Sequence, residues 1–260
     1  MQRNPYLHTN TMSKKIYIDG DMLLYRAAFS AEKEIKWDDD IFTVHSDFTD
    51  LKDSFIMVTD CICEILDASE ENGDEIWMVF SDRYTFRHEI NPLYKAHRRD
   101  KRTPLGLSAL RDWACDEWKH SKVDRMEADD VLGIIGSANP DGAIIVSGDK
   151  DFATVPCTWY NFLKDDLRRI TTEEADFQHL VQTLAGDAVD GYFGVPRIGI
   201  KTAEKILNKE GAEWQTVVNT YEKAGMTEED ALLNARMAFI LRDGYYNKET
   251  KEIKLWTPKQ

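Results

Sequence analysis

An α/β fold with a mostly parallel central sheet flanked by helices, followed by a helical C-terminal module, is predicted by three observations. Short apolar runs at IYIDGD (16–21), MVFSD (78–82) and VSGDKDF (146–152) each end in acid. Segments with apolar residues at helical spacing lie between them. The last third changes to a Gly/Pro turn that feeds successive helices. Strand, helix, strand with acids at the carboxyl ends is the pattern of a parallel sheet whose site sits above its strand tips.

In chain order, KKIYIDGD reads as a buried strand. Residues 31–50 are charged and weakly patterned, which predicts a loop or excursion. Phe55, Val58, Ile62, Ile65 and Leu66 place a helix over 51–68. EIWMVFSD is a second strand. Pro92 and Pro104 break helix on either side of a basic stretch. A helix is expected over 105–119, with Leu107, Leu110, Ala114 and Trp118 on one stripe, and another begins at MEADD over 127–137. GAIIVSGDKDF is the third strong strand, and TWYNF adds a shorter one. A helix follows over ITTEEADFQHLVQTLAGD, with Thr171 or Thr172 as cap and Glu173 or Glu174 near its third position. GVPRIGIKTAEKIL, WQTVVNTYEKAG and TEEDALLNARMAFILRD supply the later helices. KEIKLW is a terminal strand or an extended strap. The predicted organisation is a leader or disordered tail over 1–12, an α/β domain over 13–185, and a helical module over 186–260.

The chain has 260 residues, 42% of them hydrophobic, enough for one large α/β domain with a smaller appendage. A formal net charge of −14 argues in bulk against a nucleic-acid partner. The average hides a local reversal. From Arg83 to Arg102 the chain carries Arg83, Arg87, Lys95, Arg98, Arg99, Lys101 and Arg102 against only Glu89 and Asp100. The four cysteines (61, 63, 115 and 157) form no zinc pattern and read as reduced, mostly buried residues of a cytoplasmic protein. No signal peptide or membrane span is visible in the sequence, so no membrane partner is expected.

The acids carry the chemistry. Asp149 and Asp151 are i and i+2 at a strand end, so extended backbone points both the same way. Glu127 and Asp130 are i and i+3 at a helix start, with Asp129 alongside, and Asp187 and Asp190 repeat that spacing. Asp19 and Asp82 each end a strand. Any one DxD or ExxD is an ordinary solvated loop or helix cap. Five such clusters, three of them directly after buried-strand patterns, point to a single cleft. So much negative charge requires cations to hold it. Mg²⁺ or Mn²⁺ suits these hard oxygen ligands, and a pair of such ions serves phosphate chemistry.

The order IDGD, FSD, EADD, SGDKDF and GDxxDG, followed by GVPxIGxKTA, closely resembles the 5′-nuclease family over about residues 14–210. That family contains phage 5′–3′ exonucleases, flap endonucleases and the 5′-nuclease domain of bacterial DNA polymerase I. The resemblance implies a two-metal phosphodiesterase acting on DNA. Asp19, Asp82, Glu127 and Asp129 would hold the first of two Mg²⁺ (or Mn²⁺) ions. Asp130, Asp149, Asp151 and Asp190 would lean toward the second, with Asp187 beside them through water. Asp21 is either a supporting or a solvated residue.

The basic stretch, 83–122, resembles the family's helical arch, under or through which a 5′ single-stranded end passes. Lys95 and Arg98 match the positions that contact the scissile phosphate and are the expected catalytic pair. Arg87, Arg99, Lys101 and Arg102 would hold the DNA backbone. Tyr94 either stacks on a flipped base or packs. His97 is a neighbour rather than a catalyst. Residues 99–122 are short for a tall arch. GVPRIGIKTA resembles the family's helix–three-turn–helix element, with Gly194, Arg197, Gly199, Lys201 and Thr202 placed to grip duplex, and with room for one K⁺. Trp159, Tyr160, Phe162, Tyr245, Tyr246 and Trp256 read as packing residues. The expected protein is a monomeric 5′–3′ exonuclease with flap endonuclease activity on DNA carrying a 5′ end, flap or gap, or on an RNA–DNA hybrid. It would act in phage replication or recombination, in the host cytoplasm. An RNA-directed PIN-type nuclease and a non-catalytic branched-DNA-binding protein are the alternatives.

Overall fold

A computed structural model of the protein describes residues 13–98 and 101–259. The expected leader, 1–12, lies outside them. The elements run β1 (Lys15–Asp19), α1 (Gly20–Ala31), β2 (Lys33–Asp38), β3 (Ile41–His45), α2 (Phe48–Ile65), β4 (Glu75–Phe80), α3 (Phe86–Ile90), α4 (Leu107–Glu117), β5 (Lys119–Lys122), α5 (Ala128–Ala138) and β6 (Ala143–Val146). They continue with β7 (Thr158–Asn161), β8 (Asp166–Arg169), α6 (Thr172–Ala185), β9 (Gly186–Asp187), β10 (Tyr192–Phe193), α7 (Ile200–Glu210), α8 (Trp214–Lys223) and α9 (Glu228–Ala238).

The main sheet has the order β5-β4-β1-β6-β7-β8. Its first five strands are parallel and β8 returns antiparallel to β7. Side chains alternate across it, as the pleat requires. Ile16, Ile18, Met78 and Phe80 face one layer with Leu24, Phe55 and Leu110 from α1, α2 and α4. Val79 and Ile145 face the other with Leu132 of α5 and Phe239–Leu241. Complete burial of a residue such as Phe55 or Leu110 contributes about 1.5–3 kcal/mol. A third core joins Val181 and Leu184 of α6 to Ala203, Leu207, Val217, Tyr221 and Ala231 of the three later helices.

The chain leaves β1 for β4 on one side and β6 on the other. The crevice over the carboxyl ends of these strands is where a doubly wound sheet places its site. Helix starts point at the same crevice. Asp19 caps α1, and Glu127 caps α5 through a reciprocal box with Asp130. The expected cap of α6 resolves to Thr171 with Glu174.

Some expectations change. The 31–50 excursion contains an ordered hairpin, β2–β3, whose strands are almost wholly exposed and so lack the buried half that alternation reveals. The last predicted helix stops at Ala238, because Phe239–Leu241 leave it to enter the second core. KEIKLW is an extended strap, tied by a Tyr246–Ile253 bridge. Of the cysteines only Cys157 is buried; Cys61 is exposed and the other two are half-buried. The six aromatic residues read as packing do pack, Trp159 and Tyr160 being fully buried. No helix among the described residues is long and apolar enough to cross a membrane.

Candidate active site

Asp19 anchors the site. Its carboxylate receives the Met22 N–H at 3.1 Å and the Ser147 hydroxyl at 3.0 Å. The same hydroxyl accepts the Asp149 N–H at 3.1 Å, so one serine ties the end of β1 to the turn after β6. Asp149 in turn caps that turn by accepting the Asp151 N–H at 2.9 Å. Burial, then the neighbouring Asp21 and Asp149, push the Asp19 carboxyl up to about 7. Asp129, in the first turn of α5, is pushed well above the usual carboxylate range by burial and by Asp19, Asp149 and Glu127. Asp151 rises to about 7 through burial and then through Asp149, partly offset by Lys150. Asp190 also rises, by burial, against the pull of Lys95 and Arg98. These shifts express carboxylates crowded together without enough positive charge.

The cations sit at the rim. Residues 91–98 form a tight turn with Lys95 in left-handed backbone (φ 50°), held by its N–H to the Asp190 carbonyl at 3.0 Å. Gly191 lies directly beneath, where a Cβ would come 2.9 Å from the Leu93 carbonyl. This docking carries Lys95 Nζ to 2.6 Å from Glu127 and Arg98 Nη2 to 2.7 Å from Asp190. Although burial pushes Glu127 up, Lys95 and Arg87 hold it down at about 2. Lys150 reaches Asp187 at 3.3 Å and Asp151 at 3.8 Å. Gln182 donates to Asp151 at 2.6 Å.

The fold thus brings together Asp19, Glu127, Asp129, Asp149, Asp151, Asp187 and Asp190 with Lys95 and Arg98. Asp130 does not join them. It is fully buried, its oxygens taken by Arg87 at 2.6 and 2.9 Å and by the N–H groups of Glu127 and Leu241. Arg87, expected on DNA, is 2% exposed and also binds the Met237 and Phe239 carbonyls where α9 ends. Both are corrected to roles in the fold. Tyr94 packs, buried against Tyr192 and Met237, with its hydroxyl donating to Glu127 at 2.8 Å. Asp82 accepts the Arg125 N–H at 2.9 Å and pairs with Lys122 at 2.9 Å, which hold its pKa low. It is not among the acids that raise one another.

Asp21 accepts the Ser81 N–H and pairs with Arg111, linking α1 to α4. Arg102 is drawn to the far end of α1 by a double contact with Glu32, while Lys101 is exposed. Arg99 lies outside the described residues. Gly194 meets the chain's own backbone, since a Cβ there would lie 2.2 Å from the Leu184 carbonyl. Arg197, Gly199, Lys201 and Thr202 are exposed around the start of α7, with Arg197 in left-handed backbone (φ 67°). Ser147, Lys150, Arg111 and Gln182 were not anticipated. Only Lys150, between two aspartates, carries a signal in the sequence.

Among the described residues, no three His, Cys, Asp or Glu side chains already close on one point as a finished metal shell. The donor set nonetheless fits a hard divalent cation. Asp19, Asp129 and Asp149 lie together as oxygen donors on helix and turn starts, have no ion-pair partner among the described residues, and include two carboxyl groups, Asp19 and Asp129, that burial and neighbouring carboxylates raise.

Residues 14–181 match the model of a family described as "5′-3′ exonuclease, N-terminal resolvase-like domain". The chain belongs to this 5′–3′ exonuclease family. The exodeoxyribonuclease of Enterobacteria phage T3 is 32% identical over 94% of this chain and 93% of its own length. The exonuclease of Escherichia phage T7 is likewise 32% identical, over the same shares. Among solved structures, the phage T5 5′-exonuclease with bound zinc superposes with a TM-score of 0.65 at 16% identity, covering 86% of this chain and 89% of that one. The shared fold confirms the parallel sheet and helical C-terminal part expected of a 5′–3′ exonuclease. Membership also bears out the phosphodiester-hydrolysing class read from the order of the acidic motifs.

Proposed function

We propose that the protein is a divalent-cation-dependent 5′–3′ exonuclease that also cuts flaps, hydrolysing DNA phosphodiesters at the cleft above β1 and β6. The observation that carries this reading is the convergence of Asp19, Asp129 and Asp149 beneath a rim that holds Lys95 and Arg98. Asp19, Asp129 and Asp149, with Glu127, would hold one cation, and Asp151, Asp187 and Asp190 a second. When bound, such cations supply a water of lowered pKa and neutralise phosphate oxygens. Asp130 contributes by fixing the start of α5. Lys95, seated by its own left-handed backbone on the Asp190 carbonyl, presents an ammonium to a phosphate entering from the rim. Arg98 presents a planar guanidinium beside it. Both stabilise charge that grows on the phosphoryl oxygens.

The 186–260 module is the proposed duplex grip. Gly199 caps α7 with open space around it, so the free N–H groups of that helix face solvent together with Arg197, Lys201 and Thr202. A K⁺ ion at the 194–199 turn belongs to this reading and is tested by comparing duplex binding in K⁺ and Na⁺. The partner is DNA with a 5′ end, flap or gap, in a phage-like replication setting, met by a monomer.

The deciding assay digests end-labelled blunt duplex, 5′ flap, gapped duplex and RNA–DNA hybrid with Mg²⁺ or with chelator. Release from the 5′ end that chelator abolishes is expected. Predominant attack at the 3′ end, or cutting that survives chelation, would refute the proposal. Lys95→Ala is expected to slow cleavage by about 10²–10³ with duplex binding retained.

A further inference from the structure

Besides Arg87, which is committed chiefly to Asp130 and also meets Glu127, three cations reach the acids of the cleft, and they divide it unequally. Lys95 is packed, its side chain 17% exposed, and Arg98 comes from the same turn. Lys95 serves Glu127 and Asp190, and Arg98 serves Asp190 alone. The third, Lys150, rises from between Asp149 and Asp151 and leans on Asp187 and Asp151, with its side chain 68% exposed. It has no other hydrogen-bond or ion-pair partner among the described residues. Asp19, Asp129 and Asp149 have no ammonium or guanidinium in contact. One half of the cleft is bare and the other is capped by a long, solvent-facing lysine.

We propose that Lys150 is a tethered counter-ion for the Asp151–Asp187 half of the cleft. Its ammonium occupies the place of a divalent cation there, and it must swing out before that cation binds. The proposal rests on the divalent-cation reading above. The swing is easy, because an exposed lysine bound only by surface ion pairs is held weakly. It also has a direction, since the turn that carries Lys150 is fixed at its base by Asp149 while the side chain is free in solvent. The consequence is ordered loading. The bare half takes its cation first, and the capped half fills only at a higher cation concentration.

Lys150→Met keeps the apolar stem and removes the charge. Mn²⁺ binding to the DNA-free protein, read from the free-ion electron paramagnetic resonance signal, resolves the two steps. In the variant the weaker step is expected to tighten by roughly threefold to tenfold, the range set by one or two exposed ion pairs. The tighter step stays unchanged, and the Mg²⁺ concentration that half-saturates cleavage falls by the same factor. Lys150→Arg, which restores the charge, returns the weaker step toward the wild-type value. Two unchanged steps in Lys150→Met overturn the proposal. So does a loss of rate at saturating Mg²⁺ with unchanged Mn²⁺ binding, which would place the ammonium on the phosphate. Wild-type protein that binds no Mn²⁺ at all overturns the divalent-cation reading itself, an outcome distinct from either.

Discussion

Replacing Arg87 with Met separates a residue of the fold from a residue of the DNA surface. The guanidinium makes five contacts: two to Asp130 at 2.6 and 2.9 Å, one to Glu127 at 3.1 Å, and two to the Met237 and Phe239 carbonyls at 3.2 and 2.7 Å. Met fills most of the volume and answers none of them. Asp130 keeps only two backbone N–H groups, and two carbonyls at the end of α9 lose a donor. Breaking a buried pair by removing one partner costs about 3–5 kcal/mol. That is a large share of a total stability on the order of 5–15 kcal/mol. At about 2–4 °C per kcal/mol for a chain of this size, the melting temperature should fall by about 6–20 °C. Urea unfolding followed by circular dichroism measures the loss. Adding Asp130→Leu removes the stranded carboxylate and should recover about half of it, because an apolar pair is nearly neutral while the Met237 and Phe239 carbonyls stay without their donor. A loss under about 1 kcal/mol, joined to a shallower salt dependence of duplex binding, would return Arg87 to the DNA surface and sink the argument.

Asp129→Asn should abolish cleavage yet raise stability in chelator by about 1–2 kcal/mol, because it removes one crowded charge from the metal-free cleft; equal or lower stability in a melting experiment would count against that crowding. His179 is buried against the Ala235 carbonyl at 2.8 Å, and burial lowers its pKa to about 4. Its folded pKa is below the unfolded value near 6.5, so its contribution is present above pH 6.5 and is lost as pH falls toward 4. The loss amounts to about 3 kcal/mol, and His179→Phe should flatten that part of a pH–stability curve. Gly194→Ala drives a Cβ into the Leu184 carbonyl and should cost about 1–3 kcal/mol, whereas Gly199→Ala meets nothing within 4 Å and should melt like the wild type.

The site was readable where its acids follow buried strands. Asp19, Asp149 and Asp151 end apolar runs, and the i, i+3 acids at 127–130 begin a helix, so period and position together announced them. What periodicity cannot show is which way the last residue of a strand points. Ser81 turns its N–H to Asp21 and its hydroxyl to the Ala128 N–H, and Asp82, one step on, is left facing Lys122. Nor does the spacing of 127, 129 and 130 say that the third acid turns inward. That depends on Arg87, forty-three residues away in sequence, and on the carbonyls at the end of α9. The same blindness placed Arg87 on DNA and left Tyr94 between a base and the core, since a basic stretch reads as surface unless a partner for its burial is known. The β2–β3 hairpin and β5 escaped because polar, exposed strands lack the half-buried alternation that marks a strand.

The charge balance of the cleft links these details to the proposed pair of cations. Seven carboxylates converge there: Asp19, Glu127, Asp129, Asp149, Asp151, Asp187 and Asp190. Three cations answer them in Lys95, Arg98 and Lys150, since Arg87 is committed chiefly to Asp130. Four negative charges are left, the charge that two divalent cations cancel. Without such ions protons meet part of the deficit, which is what the raised pKa values of Asp19, Asp129, Asp151 and Asp190 express. The same balance explains how a protein of net charge −14 can draw in a phosphodiester. The field that matters is local, and once the acids are neutralised the ammonium and guanidinium groups that had answered them are left to face the incoming phosphate. Removing one of these carboxylates should therefore lower the number of cations bound as well as the rate. A purely catalytic acid would change the rate alone.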